Sequence, residues 1–225
     1  MKQLNNVKIG LGLFFVFIVF SVFVYLNTFQ AFDYQVLTFF QKNIPRSLDL
    51  PFSYFSLAGS FEVATVILLL IVYFSSKINK ISVLFFYAII LGIETLGKGI
   101  IAQIGPPIEL LRTHFFFHYP TGIFTEGFFA YPSGHAARAA FISIILLFLV
   151  WKSDKLSKNF KFFLVGLILF FDFFMFISRI YLAEHWFSDV IGGLLLGTSM
   201  AFLAMKKPPL FIRLRAVAKR QQRGH

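Results

Sequence analysis

Residues 160–205 read FKFFLVGLILFFDFFMFISRIYLAEHWFSDVIGGLLLGTSMAFLAM. Two apolar runs, Phe160–Ser178 and Trp186–Met205, flank a short polar connection that carries Arg179, Glu184 and His185. A helix needs roughly 20 mostly apolar residues to cross the hydrocarbon of a bilayer. The stretch therefore reads as two antiparallel membrane helices joined by a charged turn. Working outward, Ile9–Leu26, Leu57–Phe74, Ile81–Ala102 and His135–Trp151 repeat the pattern, the last being the shortest. The expected fold is all-α: a six-transmembrane helical bundle in one domain over residues 1–205, followed by a basic tail over 206–225. The first run follows Lys2 and Lys8 as a signal sequence would, but no small-x-small cleavage site comes after it, so it reads as a retained anchor.

Composition agrees with a membrane chain. Of 225 residues, 58% are hydrophobic and 20% aromatic, with 34 Phe, and only 14% are charged. A soluble domain has about 25% charged residues. A soluble enzyme and a disordered chain are thereby excluded, and the lack of Cys removes disulfide scaffolds and thiolate metal sites. The net charge of +11 is unevenly placed. Six spans put both termini and the 75–80 and 152–159 connections on one side. That side holds Lys2, Lys8, Lys77, Lys80, Lys152, Lys155, Lys158, Lys161 and the seven basic residues of the tail, against Asp154 as its one carboxylate. The positive-inside rule then places both termini in the cytoplasm. The tail could meet anionic headgroups or act as a solvated topology determinant; nothing else supports a nucleic-acid partner. Phe32, Val36, Phe39 and Phe40 fit one face of a short helix lying in the interface.

Ionisable groups at membrane depth are costly and mark function. Span parity brings several to one level. Lys98 lies near the outer end of the third span, and the Pro132-Ser133-Gly134-His135 turn opens the fourth with Arg138 one turn on. Ser178-Arg179 closes the fifth, and His185 precedes the sixth, with Asp189 in its first turn. Lys and Arg together suit a phosphoryl group, Arg as a bidentate fork and Lys as a point charge. Residues 133–135 open a helix, where free N–H groups favour an anion. His185 and Asp189 are spaced so that the carboxylate can reach one imidazole nitrogen and leave the other to attack phosphorus. His135 can then protonate the leaving oxygen. The cations neutralise the developing charge, so neither a metal nor a cofactor is expected.

Pro132-Ser133-Gly134-His135, followed by Ser178-Arg179, five residues, His185, three residues and Asp189, resembles the second and third signatures of the type 2 phosphatidic acid phosphatase superfamily. The resemblance spans roughly residues 57–205. It implies the fold shared by those phosphatases and the vanadium haloperoxidases, and a metal-independent lipid phosphatase with a phosphohistidine intermediate at the outer membrane face of a bacterial-type cytoplasmic membrane. Carried over by position, His185 is the nucleophile, Asp189 orients it, and His135 is the acid. Lys98, Ser133, Gly134 and Arg179 bind phosphate. The first signature, Lys, six residues, Arg-Pro, is broken: Lys98 is followed at the right distance by Gly105-Pro106. Arg138 is the expected replacement for the absent arginine, with Arg112 as second choice. Ala183 stands where the family commonly has glycine, with little effect expected. The expected substrate is a lipid phosphate, undecaprenyl diphosphate or a phospholipid phosphate. A lipid phosphotransferase and a non-catalytic scaffold are the rival readings.

Other features have plainer readings. Glu94 and Lys98 are spaced for a structural ion pair, and Arg138 could snorkel to the interface. His114 and His118 have a metal-like spacing, but Phe115-Phe116-Phe117 between them and no carboxylate partner make them interfacial residues. Asp172 is expected to hydrogen-bond inside the bundle. Glu62 and Glu126 are outward-side residues near the pocket. Gly193 and Gly197 form a close helix contact, and the aromatic loop 115–131 forms an interfacial belt.

Overall fold

The computed structural model describes residues 2–113 and 129–205, with side chains from Asn5 onward. His114, His118, Glu126, the aromatic loop up to Phe128 and the basic tail lie outside the described residues. The helices are α1 (Lys2–Tyr25), α2 (Gln30–Asn43), α3 (Asp49–Ser56), α4 (Phe61–Phe74), α5 (Lys80–Ile101), α6 (Gly134–Trp151), α7 (Lys158–Tyr181) and α8 (Phe187–Ala204). Five of them, α1, α5, α6, α7 and α8, are long and apolar enough to cross a membrane. The candidate for a sixth crossing is a bent helix pair. Residues 46–59 and α4 form a pair bent by 49°, so the expected straight run over 57–74 is replaced by a helix starting at Phe61. Ser60 causes the break: its extended backbone ends the preceding turn, and its hydroxyl accepts from Val63 N as the cap of α4. Fourteen residues of α4 rise about 21 Å, short of the hydrocarbon thickness, so α4 crosses only if the bent segment is counted with it. The break also frees the Gly59 carbonyl, which the site uses.

The connection over 27–56 holds two helices. In α2 the inward face is Asp33 and Leu37, with Val36 and Phe40 packed beside them; Phe32 and Phe39 are exposed. The four apolar positions singled out in the sequence thus split between protein and surroundings.

α8 is the central helix and packs against α1, α5 and α6. Phe17, Leu68, Ile90, Phe141, Ile145, Leu196 and Met200 fill the core around it. α7 is peripheral, with Phe162, Phe163, Phe170 and Phe173 pointing outward as lipid-facing side chains do. α6 and α8 cross closely enough that a Cβ at Gly193 would strike the Ser133 carbonyl, and one at Gly197 the Ala137 carbonyl. In lipid, helices associate through such packing. Gly197→Val should therefore destabilise the protein by about 2–3 kcal/mol or more. Gly12→Ala, where nothing lies within 4 Å, serves as the neutral control. Recovery of monodisperse protein after a temperature ramp in detergent checks both.

One end of the bundle gathers the basic loops: Lys77 Nζ donates to the Lys152 carbonyl at 2.5 Å and pairs with Asp154 at 3.7 Å. Lys98 lies 18 residues up α5 from Lys80, about 27 Å along the axis. The candidate site is at that far end.

Candidate active site

Four chain segments meet there. α5 contributes Lys98 in its last turn, where a cation suits the helix dipole. The first turns of α6 contribute Gly134, His135 and Arg138, behind the N-cap Ser133. α7 ends with Arg179, and the connection to α8 carries His185, with Asp189 in the first turn of α8. The positive charges of Arg179, Arg138 and Lys98 act on both His135 and His185, and His185 acts on His135. Lys98, His135, Arg138, Arg179 and His185 therefore lie within electrostatic reach of one another.

Local bonds fix each of them. Ser133 Oγ accepts from Ala136 N at 3.4 Å, which caps α6 and leaves the hydroxyl proton available to an anion. Ser133 N donates to the Asp189 carbonyl at 3.0 Å, tying the start of α6 to α8. The Arg179 carbonyl accepts from both Glu184 N and His185 N, each at 3.2 Å, and so sets the loop that presents His185. Within that loop Ala183 has φ 56°, a left-handed conformation that glycine adopts without strain and alanine at some cost. Asp189 Oδ2 accepts from Trp186 N at 2.7 Å, as the third helical residue of a capping box does.

His185 Nδ1 and Asp189 Oδ2 are 3.6 Å apart, close but longer than a hydrogen bond. Neither His185 Nδ1 nor Asp189 Oδ1 has a hydrogen-bond partner among the described residues, so a small rotation joins two groups that both lack one. His185 is 7% exposed. Burial, reinforced by the Arg179 and Lys98 charges, holds its imidazole well below the ordinary value of 6.5, which keeps it neutral near neutral pH.

The three cations differ in their partners. Arg138 Nε donates to the Gly59 carbonyl at 3.1 Å and its Nη1 to Glu94 Oε2 at 2.6 Å. Lys98 Nζ is 3.6 Å from Glu94 Oε1, the ion pair its spacing allowed. Arg179 Nη2 pairs with Glu184, while its Nε, buried in the pocket wall, has no hydrogen-bond partner among the described residues. Arg138 is buried in the site and does not snorkel. Arg112 is engaged elsewhere: Nη1 donates to Tyr181 Oη at 3.0 Å and Nη2 to the Gln41 carbonyl at 3.1 Å, with Asp49 at 3.9 Å. It fastens α2 and α3 to the end of α7.

Several contributors were not legible in the sequence. Gly59 gives only a carbonyl, exposed by a bend that composition does not announce. Asp33 reaches across from α2 to accept from Ser188 N at 2.8 Å and Ser188 Oγ at 2.6 Å, capping α8 beside Asp189. Glu184 carries a visible signal, a carboxylate next to the histidine, but its pairing with Arg179 depends on the loop. Gly193 and Gly197 do form the close contact expected of them, and Asp172 accepts from Ser143 Oγ at 2.7 Å inside the bundle. No group of three His, Cys, Asp or Glu side chains gathers as a metal cage would among the described residues.

Comparison with known proteins finds a matching family and a matching fold. The family model of the PAP2 superfamily matches residues 79–213. Phosphatidylglycerophosphatase B of Bacillus subtilis (strain 168) is 40% identical over 81 residues, which cover 35% of this chain and 38% of that protein. The match thus spans well under half of that relative. Among solved structures, the first transmembrane PAP2 type phosphatidylglycerolphosphate phosphatase from Bacillus subtilis superposes with a TM-score of 0.71 at 19% identity, covering 91% of this chain and 94% of the other. Aquifex aeolicus LpxE gives a TM-score of 0.53 at 18% identity, covering 77% and 94%. At such identities the two structures speak to the fold.

Proposed function

This chain belongs to the PAP2 superfamily, and from that premise we propose that it is a lipid phosphatase, hydrolysing a phosphate monoester or diphosphate carried by a membrane lipid. The observation that carries the reading is the pocket itself: two histidines under three cationic side chains at the N-terminus of α6. Lys98, Arg138 and Arg179 hold the phosphoryl oxygens, with Ser133 and the first N–H groups of α6. Neutral His185 attacks phosphorus while the bond to the lipid oxygen breaks, and Asp189 takes up the positive imidazole that results. His135 gives its proton to the leaving oxygen; the phosphate's negative charge is what lets it carry that proton beside three cations. Water then attacks the phosphohistidine, His135 accepts its proton, and inorganic phosphate leaves with His185 restored. No step calls on a metal.

The basic loops at the opposite end support a cytoplasmic location for both termini and an outward-facing site, at the depth where a headgroup meets water while its chains stay in lipid. The names of two relatives favour phosphatidylglycerol phosphate as the substrate, and undecaprenyl diphosphate stays beside it as the lipid diphosphate raised from the sequence. The test is phosphate release by purified protein from a panel of these lipids with phosphatidic acid, His185→Ala as control. Phosphate release from at least one lipid, lost in the variant, supports the reading. Transfer of phosphate to a second lipid without release would make the enzyme a phosphotransferase, and no turnover on any lipid would sink catalysis altogether.

A further inference from the structure

Glu94 is a buried charged residue among the cations of the site for which hydrolysis has no use. It lies on α5 one turn before Lys98, with its side chain 3% exposed. Its carboxylate stands between Arg138, at 2.6 Å, and Lys98, at 3.6 Å. On its other side it rests on Gly134, so closely that a Cβ there would collide with all three carboxylate atoms. Two cations, and the opening of a capped helix whose first N–H groups seek an acceptor, are what an anion requires. A side chain of the protein itself occupies that place.

The charge count gives this a consequence. Lys98 and Arg138 are met by Glu94 and Arg179 by Glu184, while Asp189 stands against His185, so three cations share the site with three carboxylates. With Glu94 in place the pocket is neutral, and a phosphate dianion would give up its hydration without a net positive charge to receive it. With Glu94 turned away, two cations and the helix opening become available together.

We propose that Glu94 is a built-in competitor for the phosphate clamp, a specificity residue that must leave Lys98 and Arg138 before a phosphoryl group can bind. The proposal rests on the phosphatase reading above. Free phosphate, with nothing but its own charge, competes poorly against a tethered carboxylate. A phosphate on a lipid brings additional binding energy from the chain in the bilayer and displaces it. The same competition expels inorganic phosphate after turnover, so product does not hold the enzyme. A clamp occupied by Glu94 nine times in ten lowers apparent phosphate affinity about tenfold.

The experiment measures binding of inorganic orthophosphate and orthovanadate to the purified full chain in detergent by thermal titration, with hydrolysis of the preferred lipid phosphate and its inhibition by orthophosphate in parallel. Glu94→Gln is compared with wild type and with Asp154→Asn, a charge change at the opposite, exposed end. Glu94→Gln should melt at a lower temperature without ligand, because Arg138 and Lys98 lose a buried partner. It should also bind phosphate and vanadate about tenfold or more tightly and become correspondingly more sensitive to product. A purely structural Glu94 would give the lower melting temperature with unchanged or weaker anion binding, and that result overturns the proposal. Equal tightening in Asp154→Asn overturns it too. If Glu94→Gln does not fold, Glu94→Asp decides by the same criterion, since the shorter carboxylate keeps its charge but withdraws from Gly134. Lipid hydrolysis by wild type with no tightening in the variant removes this proposal alone. Absence of both hydrolysis and anion binding in every form removes the phosphatase reading with it.

Discussion

Replacing His185 with alanine lowers phosphate release from the preferred lipid by about ten-thousandfold or more, as removal of a covalent nucleophile does elsewhere. The protein itself should remain folded, because the loop that presents His185 is held by backbone bonds to the Arg179 carbonyl, which the substitution leaves in place. Wild type quenched in acid-free conditions during turnover should carry phosphate on His185, and the variant none. The pH profile offers a second check. Since burial and three nearby cations hold His185 below 6.5, the imidazole stays unprotonated as pH falls through that value. The limb of kcat/KM that reports protonation of the nucleophile should therefore lie on the acid side of 6.5. A nucleophile limb at or above 6.5, or full activity in His185→Ala, would show that another group attacks phosphorus.

Arg138→Ala should be the more damaging of the two arginine replacements that the broken first signature brings into question. Arg138 is 2% exposed and is bonded to both Gly59 and Glu94. Its removal leaves Glu94 buried with Lys98 alone, a loss of about 3–5 kcal/mol for breaking one side of a buried pair. It also removes one phosphate donor, for a further hundred- to thousandfold loss of turnover, the order expected for a single charge-stabilising donor. Combining Arg138→Ala with Glu94→Gln should restore much of the stability and little of the activity, which separates the two roles. Arg112→Ala removes bonds to Tyr181 and Gln41 at some distance from the chemistry, so its effect should fall on melting temperature and change turnover by less than about tenfold. Full activity in Arg138→Ala together with a dead Arg112→Ala would reverse the assignment.

Both predictions start from residues that stand out in the sequence because they violate its prevailing chemistry. In a chain that is 58% hydrophobic, Lys98, Arg138, Arg179 and Asp189 are conspicuous, and counting spans is enough to bring them to one level. Helix boundaries for α5 to α8 follow the apolar runs closely for the same reason: a bilayer demands long uninterrupted stretches, and their ends are marked by Ser, Asn or charged residues. Where the demand relaxes, the pattern loses its grip. The bend at Ser60 lies inside an apolar run and α3 lies outside the spans, so hydropathy registers neither; α2 showed itself only through the spacing of its apolar residues, and which of them face the protein did not.

The sequence by itself determined the all-helical membrane architecture, the level at which the charged groups meet, and the signature that ties the chain to its superfamily, because each depends on which residues are apolar and how far apart the others are. Only the tertiary structure decided how those charges are paired. Spacing allowed Glu94 to meet Lys98; packing gave the same carboxylate to Arg138 and laid it on Gly134. The Gly59 carbonyl and the Asp33 carboxylate likewise reach the site from segments far away in the chain. A carboxylate's partner is set by contact over a few ångströms between helices, and no periodicity along one helix encodes which neighbour it will face.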